Sequence, residues 1–190
     1  CADRGYISPA ARVDINGDGV TDIFVNAVNG RLLVFDGKTL KRLWELKRPE
    51  TETYSSLAVG YFNRDNIPDV FASYAMGVWP KLDWSTQFMA DGRTGVIQFV
   101  DSLGFYQNSS GIAVDWDGDG LDEVLMSVNF QEIIKGYQKF FYNMLVLIDF
   151  KTNEVLQIGD NYNGNNMSST PWAGDLDHDG FLDIIYVNGV

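Results

Sequence analysis

Short apolar runs alternate with dense polar clusters along the whole chain. Four of the runs are rich in β-branched and aromatic residues: Ile23-Phe24-Val25, Val70-Phe71-Ala72, Val124-Leu125-Met126 and Ile184-Ile185-Tyr186-Val187. Runs of this length and composition, bounded by Gly, Asn, Asp and Thr, predict strands. A second series ends in a repeated turn: Leu33-Val34-Phe35-Asp36-Gly37-Lys38-Thr39, Phe88-Met89-Ala90-Asp91-Gly92-Arg93-Thr94 and Val146-Leu147-Ile148-Asp149-Phe150-Lys151-Thr152. A further strand follows each turn, at Arg42-Leu43-Trp44, Val96-Ile97-Gln98 and Val155-Leu156-Gln157. Ahead of each unit Ser8, Ser55, Ser109 or Ser169 opens a stretch of small and apolar residues. Each unit therefore reads as four short antiparallel strands, the pattern of a β-propeller blade. The expectation is an all-β chain of about three and a half such blades, within a larger propeller. Their approximate bounds are 6–48, 53–101, 107–159 and 167–190, the last incomplete.

The units differ in length mainly between the second and third strands. In the first, Asn29-Gly30 predicts a two-residue type I′ hairpin turn. In the second this connection carries Trp79 and Trp84, and in the third Tyr137 and Tyr142; both read as inserted loops. Antiparallel strands alternate in direction, so these insertions emerge opposite the connections between first and second strands. Variable segments on a rigid scaffold often carry function. Trp79, Trp84, Tyr137 and Tyr142 are accordingly candidate partner-contacting residues, with packing over the blade as the alternative. Trp44 is expected to pack between blades.

Between the first and second strands lie three near-identical acidic loops, beginning at residues 14, 115 and 175. The first holds Asp14, Asn16, Asp18, Val20 and Asp22. The second set is Asp115, Asp117, Asp119, Leu121 and Glu123, and the third Asp175, Asp177, Asp179, Phe181 and Asp183. Oxygen-bearing residues at positions 1, 3, 5 and 9, with glycine between them, wrap a hard cation. Position 7 (Val20, Leu121 or Phe181) would add a backbone carbonyl. Calcium, with six to eight oxygen ligands, suits such a loop better than magnesium. An EF-hand loop would need a carboxylate at position 12, where Val25, Met126 and Tyr186 stand. Three loops in register, each crowding like charges, disfavour acidic turns without a metal. The loop at 61–69 is degenerate: Tyr61 replaces the first carboxylate, and Arg64 and Asn66 replace the glycines. It is expected to keep its turn and to hold calcium weakly or not at all, with Arg64 pairing to Asp65 or Asp69. About three calcium ions are thus expected.

The Asp-x-Asp/Asn-Gly-Asp-Gly-x-x-Asp loop within a four-stranded repeat resembles the FG-GAP/VCBS repeats of integrin α-subunit propellers and bacterial surface proteins. The resemblance covers nearly the whole chain and implies calcium at Asp14, Asn16, Asp18 and Asp22 and at the matching positions of the other two strong loops. Glu123 for Asp, His178 for glycine and the degenerate loop are departures. Only the last puts a metal site in doubt.

Charge narrows the function. The 190 residues carry 26 Asp plus Glu against 14 Lys plus Arg, a net charge of -12. Nucleic-acid binding, which needs clustered cations, is excluded. No apolar run approaches the roughly 20 residues of a transmembrane helix. Cys1 is the single cysteine; it is either a lipid-anchor site or incidental. His178 is the single histidine and lies in a metal loop, so acid–base groups are few: Asp83, Glu132 and tyrosines of the insertions. The favoured reading is an extracellular, calcium-stabilised binding or adhesion module for a protein or glycan at the cell surface, with the periplasm as a second location. Extracellular modules bind calcium at ~10⁻⁴–10⁻³ M, too weakly for cytosolic levels. A calcium-dependent polysaccharide lyase and a structural part of a surface assembly are the alternatives.

Overall fold

The computed structural model describes residues 4–105, 109–134, 138–164 and 169–187. Within them the regular structure is entirely β. The first sheet has the order β1 (Ala11–Val13), β2 (Asp22–Ala27), β3 (Arg31–Phe35), β4 (Arg42–Lys47). In the second, β5 (Thr51–Glu52) and β6 (Ala58–Gly60) both pair with β7 (Asp69–Val78), which leads to β8 (Lys81–Ala90) and β9 (Ile97–Asp101). The third is β10 (Ile112–Val114), β11 (Glu123–Ile134), β12 (Gln138–Asp149), β13 (Glu154–Asn163). Then β14 (Trp172–Gly174) pairs with β15 (Asp183–Ile185). All pairings are antiparallel between chain neighbours, apart from β5, which reaches across to β7.

Successive sheets stack through three apolar layers. Phe24, Leu32 and Val34 of the first sheet meet Val70, Tyr74 and Phe88 of the second. The other face of the second sheet, with Phe71, Met89 and Phe99, meets Val124, Met126 and Ile148 of the third. Leu125, Leu145 and Leu147 then pack toward Ala173 and Ile184. The neighbours Val70 and Phe71, like Val124 and Leu125, therefore serve opposite faces. Their strands are covered on both sides, which is why they read as unbroken apolar runs rather than alternating ones. Face-to-face stacking of small four-stranded sheets is the blade architecture. Trp44 spans one such interface: its indole N–H donates to the Gly92 carbonyl at 2.8 Å, and its ring lies edge-on to Phe24.

Two sequence expectations are corrected here. The β2–β3 connection is a three-residue loop, because Ala27 pairs with Arg31. Gly30 has positive φ and Asn29 does not, so the turn is not type I′, which needs both residues left-handed. The insertions, read as loops, are instead continuations of strands. β7 and β8 pair out to Val78–Lys81, and β11 and β12 out to Ile134–Gln138. Aromatic and β-branched residues such as Phe130, Ile133 and Phe141 favour a longer hairpin over irregular chain.

Candidate functional site

Counted in chain order, loops one to four begin at residues 14, 61, 115 and 175, and each is wound by its own side chains onto its own backbone. The fifth residue accepts from the amide of the seventh in all four copies: Val20 to Asp18 at 2.9 Å, Ile67 to Asp65 at 2.8 Å, Leu121 to Asp119 at 3.0 Å and Phe181 to Asp179 at 2.9 Å. The third accepts from the fifth, as Asp18 to Asn16 and Asp119 to Asp117 show. The first-position carboxylate accepts from the sixth-position glycine amide: Gly19 to Asp14, Gly120 to Asp115 and Gly180 to Asp175. This winding needs left-handed backbone at position six, which Gly19, Asn66, Gly120 and Gly180 all adopt. His178 takes the same conformation at position four, as Gly17 and Gly118 do, so the glycine-to-histidine departure keeps the loop's shape.

The ninth residue ties the loop to the sheet. Asp22, Asp69 and Glu123 are buried at the start of the second strand. Asp22 accepts from Ile15 N–H at 3.0 Å, Glu123 from Trp116 N–H at 2.8 Å and Asp183 from Leu176 N–H at 2.9 Å. The other oxygen of Asp22 accepts from Gly37, and an oxygen of Asp69 from Gly92. Those glycines belong to the turn after the third strand, and a Cβ at either would collide with the Thr21 or Pro68 carbonyl.

That turn brings in carboxylates the sequence reading left out of the site. Asp36, Asp91 and Asp149 each accept from a threonine three residues on, through both its amide and its hydroxyl. Asp36 also accepts from the Asn16 amide at 3.2 Å. The signal was present in the recurring Asp-x-Lys/Arg-Thr, but periodicity alone does not say which end of the blade it joins.

Among the described residues, carboxylate oxygens converge within 4.8 Å in three groups: Asp115, Asp117 and Glu123; Asp175, Asp177 and Asp183; and Asp65, Asp69 and Asp91. The first two join positions one, three and nine of strong loops. Loop one offers fewer carboxylates because its third residue is Asn16. Two of the fifth-position residues also have lysine partners: Lys38 approaches Asp18 at 3.6 Å, and Lys151 pairs with Asp119. Val20, Leu121 and Phe181 are held by their N–H groups on those same residues. Asp69 Oδ2 and Asp115 Oδ1 are buried without a hydrogen-bond partner, which is how a carboxylate set suited to a hard cation presents itself.

The electrostatics agree. Burial pushes Asp69 up to about 7, reinforced by the charges of Asp65 and Asp91. Burial also raises Glu123, with Asp117, Asp149 and Asp115 adding to it. The Gly19 amide, by contrast, holds Asp14 below the usual carboxylate range, and the Lys151 ammonium does the same for Asp119.

The sequence reading expected Arg64 to pair with Asp65 or Asp69, and the structure corrects this. The Arg64 guanidinium lies 3.7 Å from Asp119 of the next blade, across a cleft of about 560 Å³ lined by Tyr61, Asn63, Asn66 and Leu121. The extended guanidinium spans to the neighbouring loop, where Asp119 is presented toward solvent.

At the opposite end of the sheets the long hairpins project. Trp79 is 57% exposed and Trp84 50%. Tyr142 stacks on Phe130, rings 5.3 Å apart and nearly parallel, so it is packed against its own hairpin. Tyr137 and Cys1 lie outside the described residues. Asp83, Trp84, Phe105, Phe130 and Gln131 line a cleft of about 260 Å³ between the second and third blades. The Trp79 amide donates to buried Glu52 at 3.1 Å, and Glu52 also accepts from Tyr54 and pairs with Arg4. Glu52 fell outside the repeat pattern, so the sequence reading missed this anchor.

The FG-GAP-like repeat model matches residues 14–72. The search of curated proteins finds no match to the chain. Among solved structures the chain is similar to rhamnogalacturonan lyase YesW, with 13% identity and a TM-score of 0.51. The likeness covers 94% of this chain and 39% of that one, so the chain spans about two fifths of that structure's length. At such identity the match speaks for the fold alone. No helix among the described residues is long and apolar enough to cross a membrane. The chain therefore carries an FG-GAP-like repeat within an all-β array of propeller-type blades.

Proposed function

We propose that this protein is an extracellular binding module, stiffened by calcium in its acidic loops, that recognises a glycan or protein through the face formed by the long hairpins. The observation that carries this reading is the separation of the two ends. One end concentrates convergent carboxylates. The other offers exposed Trp79 and Trp84 beside a cleft containing Asp83 and Gln131. Exposed tryptophans on a rigid scaffold suit sugar faces and protein interfaces. The calcium sets are Asp14, Asn16, Asp18 and Asp22; Asp115, Asp117, Asp119 and Glu123; and Asp175, Asp177, Asp179 and Asp183.

A polysaccharide-lyase activity is the second reading, favoured by the fold of the structural neighbour. The test is a glycan array and a surface-protein pull-down with the wild type and with Trp79→Ala/Trp84→Ala, alongside turnover of uronic-acid polysaccharides. Binding lost in the double variant, without turnover, supports the module. Binding unaffected by it removes the hairpin face from the function, and turnover replaces the first reading with the second.

A further inference from the structure

We infer that the degenerate loop at 61–69 is itself a divalent-cation site, completed by Asp91 from outside the loop. Asp65, Asp69 and Asp91 bring carboxylate oxygens within 4.8 Å of one another. Each is anchored through one oxygen by a backbone amide: Asp65 by Ile67 at 2.8 Å, Asp69 by Gly92 at 3.0 Å and Asp91 by Thr94 at 2.7 Å. The independent sign is Asp69 Oδ2. Asp69 is fully buried, and this oxygen has no hydrogen-bond partner. An enclosed carboxylate oxygen beside two further carboxylates needs a positive partner.

The contrast with loop one shows why the need arises here. There the Asn16 amide stands between the ninth-position and turn carboxylates, donating toward Asp22 at 3.4 Å and Asp36 at 3.2 Å. In loop two the equivalent Asn63 turns its amide to Gln98 at 3.0 Å instead. The Gln98 amide in turn donates to Asp91 Oδ2 at 3.4 Å, and neither side-chain amide reaches Asp69. Arg64 is drawn off to Asp119. The carboxylate lost at Tyr61 is thus replaced in kind by Asp91, and three oxygen donors of this hardness suit calcium.

Counting bound calcium by equilibrium dialysis on the full chain tests this, with Asp91→Asn, Asp65→Asn and, as a reference, Asp115→Asn. Melting in EGTA verifies that each variant folds. Asp91→Asn and Asp65→Asn are each expected to lower the count by one and to leave the ion of loop three in place. Two separate variants keep the test valid should one fail to fold. An unchanged count in both, while Asp115→Asn loses one, overturns the loop-two site and leaves the strong loops standing. A single ion lost in Asp91→Asn and retained in Asp115→Asn supports loop two and removes calcium from loop three. No bound calcium in the wild type overturns both.

Discussion

Tyr61 and Asp122 exchange two hydrogen bonds across the interface between the second and third blades: Tyr61 N–H donates to Asp122 Oδ2 at 2.7 Å, and Asp122 N–H to the Tyr61 carbonyl at 2.8 Å. Both bonds use the backbone of residue 61, so they dock one loop on the next without calling on the carboxylate that the repeat has lost there. Asp122→Ala removes one of the two bonds. The pair is partly exposed, so the expected loss is about 1 kcal/mol. Urea unfolding measures it. No change in midpoint would mean that the loops do not brace each other.

Phe150 occupies the place held by Gly37 and Gly92 in the earlier repeats. It fills the interface between blades two and three, with ring centroids 4.9 Å from Phe62, 5.2 Å from Phe99 and 6.1 Å from Phe71. Phe150→Ala is expected to cost about 3–5 kcal/mol, the range for emptying a packed aromatic site. Gly92→Phe is expected not to fold, because even a Cβ there meets the Pro68 carbonyl. Equal tolerance of both substitutions, seen by thermal melting, would contradict this division of roles.

Much of this was legible in the chain. Blade strands were readable because both faces of β7 and β11 are apolar and turn residues punctuate them. Loop winding was readable because its oxygen donors sit at alternate positions. What escaped depended on contacts distant in sequence. Asp91 reaches Asp69 only once β8 has run back along β7. Arg64 finds Asp119 only when neighbouring blades stack. Glu52, holding the Trp79 amide, belongs to a two-residue strand too short to carry a pattern.

Calcium in the acidic loops predicts a direct stability effect. A ligand that binds only the folded state stabilises it by RT ln(1 + [L]/Kd), about 2.7 kcal/mol at a hundredfold excess over Kd. Thermal unfolding in millimolar calcium should therefore exceed that in EGTA, and the gap should shrink in Asp175→Asn and Asp115→Asn. Identical melting in the two buffers would remove calcium as a structural element of the protein.

The pH dependence of the metal-free protein should carry a large contribution from Asp69. Its folded pKa is raised to about 7 by burial from the ordinary 3.8. Between those values the folded state holds a proton that the unfolded chain has released. Stability from this group is therefore full below about pH 4 and falls as pH rises toward 7, with no further change above. Asp14 and Asp119, whose pKa values are lowered, act in the opposite sense and only at acid pH. Asp69→Asn keeps an acceptor for Gly92 and has no proton to lose. Glu123, also raised by burial, acts in the same sense, so unfolding in EGTA at pH 5.5 and pH 8 should show a larger drop for the wild type than for the variant. Saturating calcium should abolish that drop, since the cation then replaces the proton as the partner of the buried oxygen. Parallel pH profiles for wild type and variant would mean that Asp69 is already charged and satisfied in the folded protein at neutral pH.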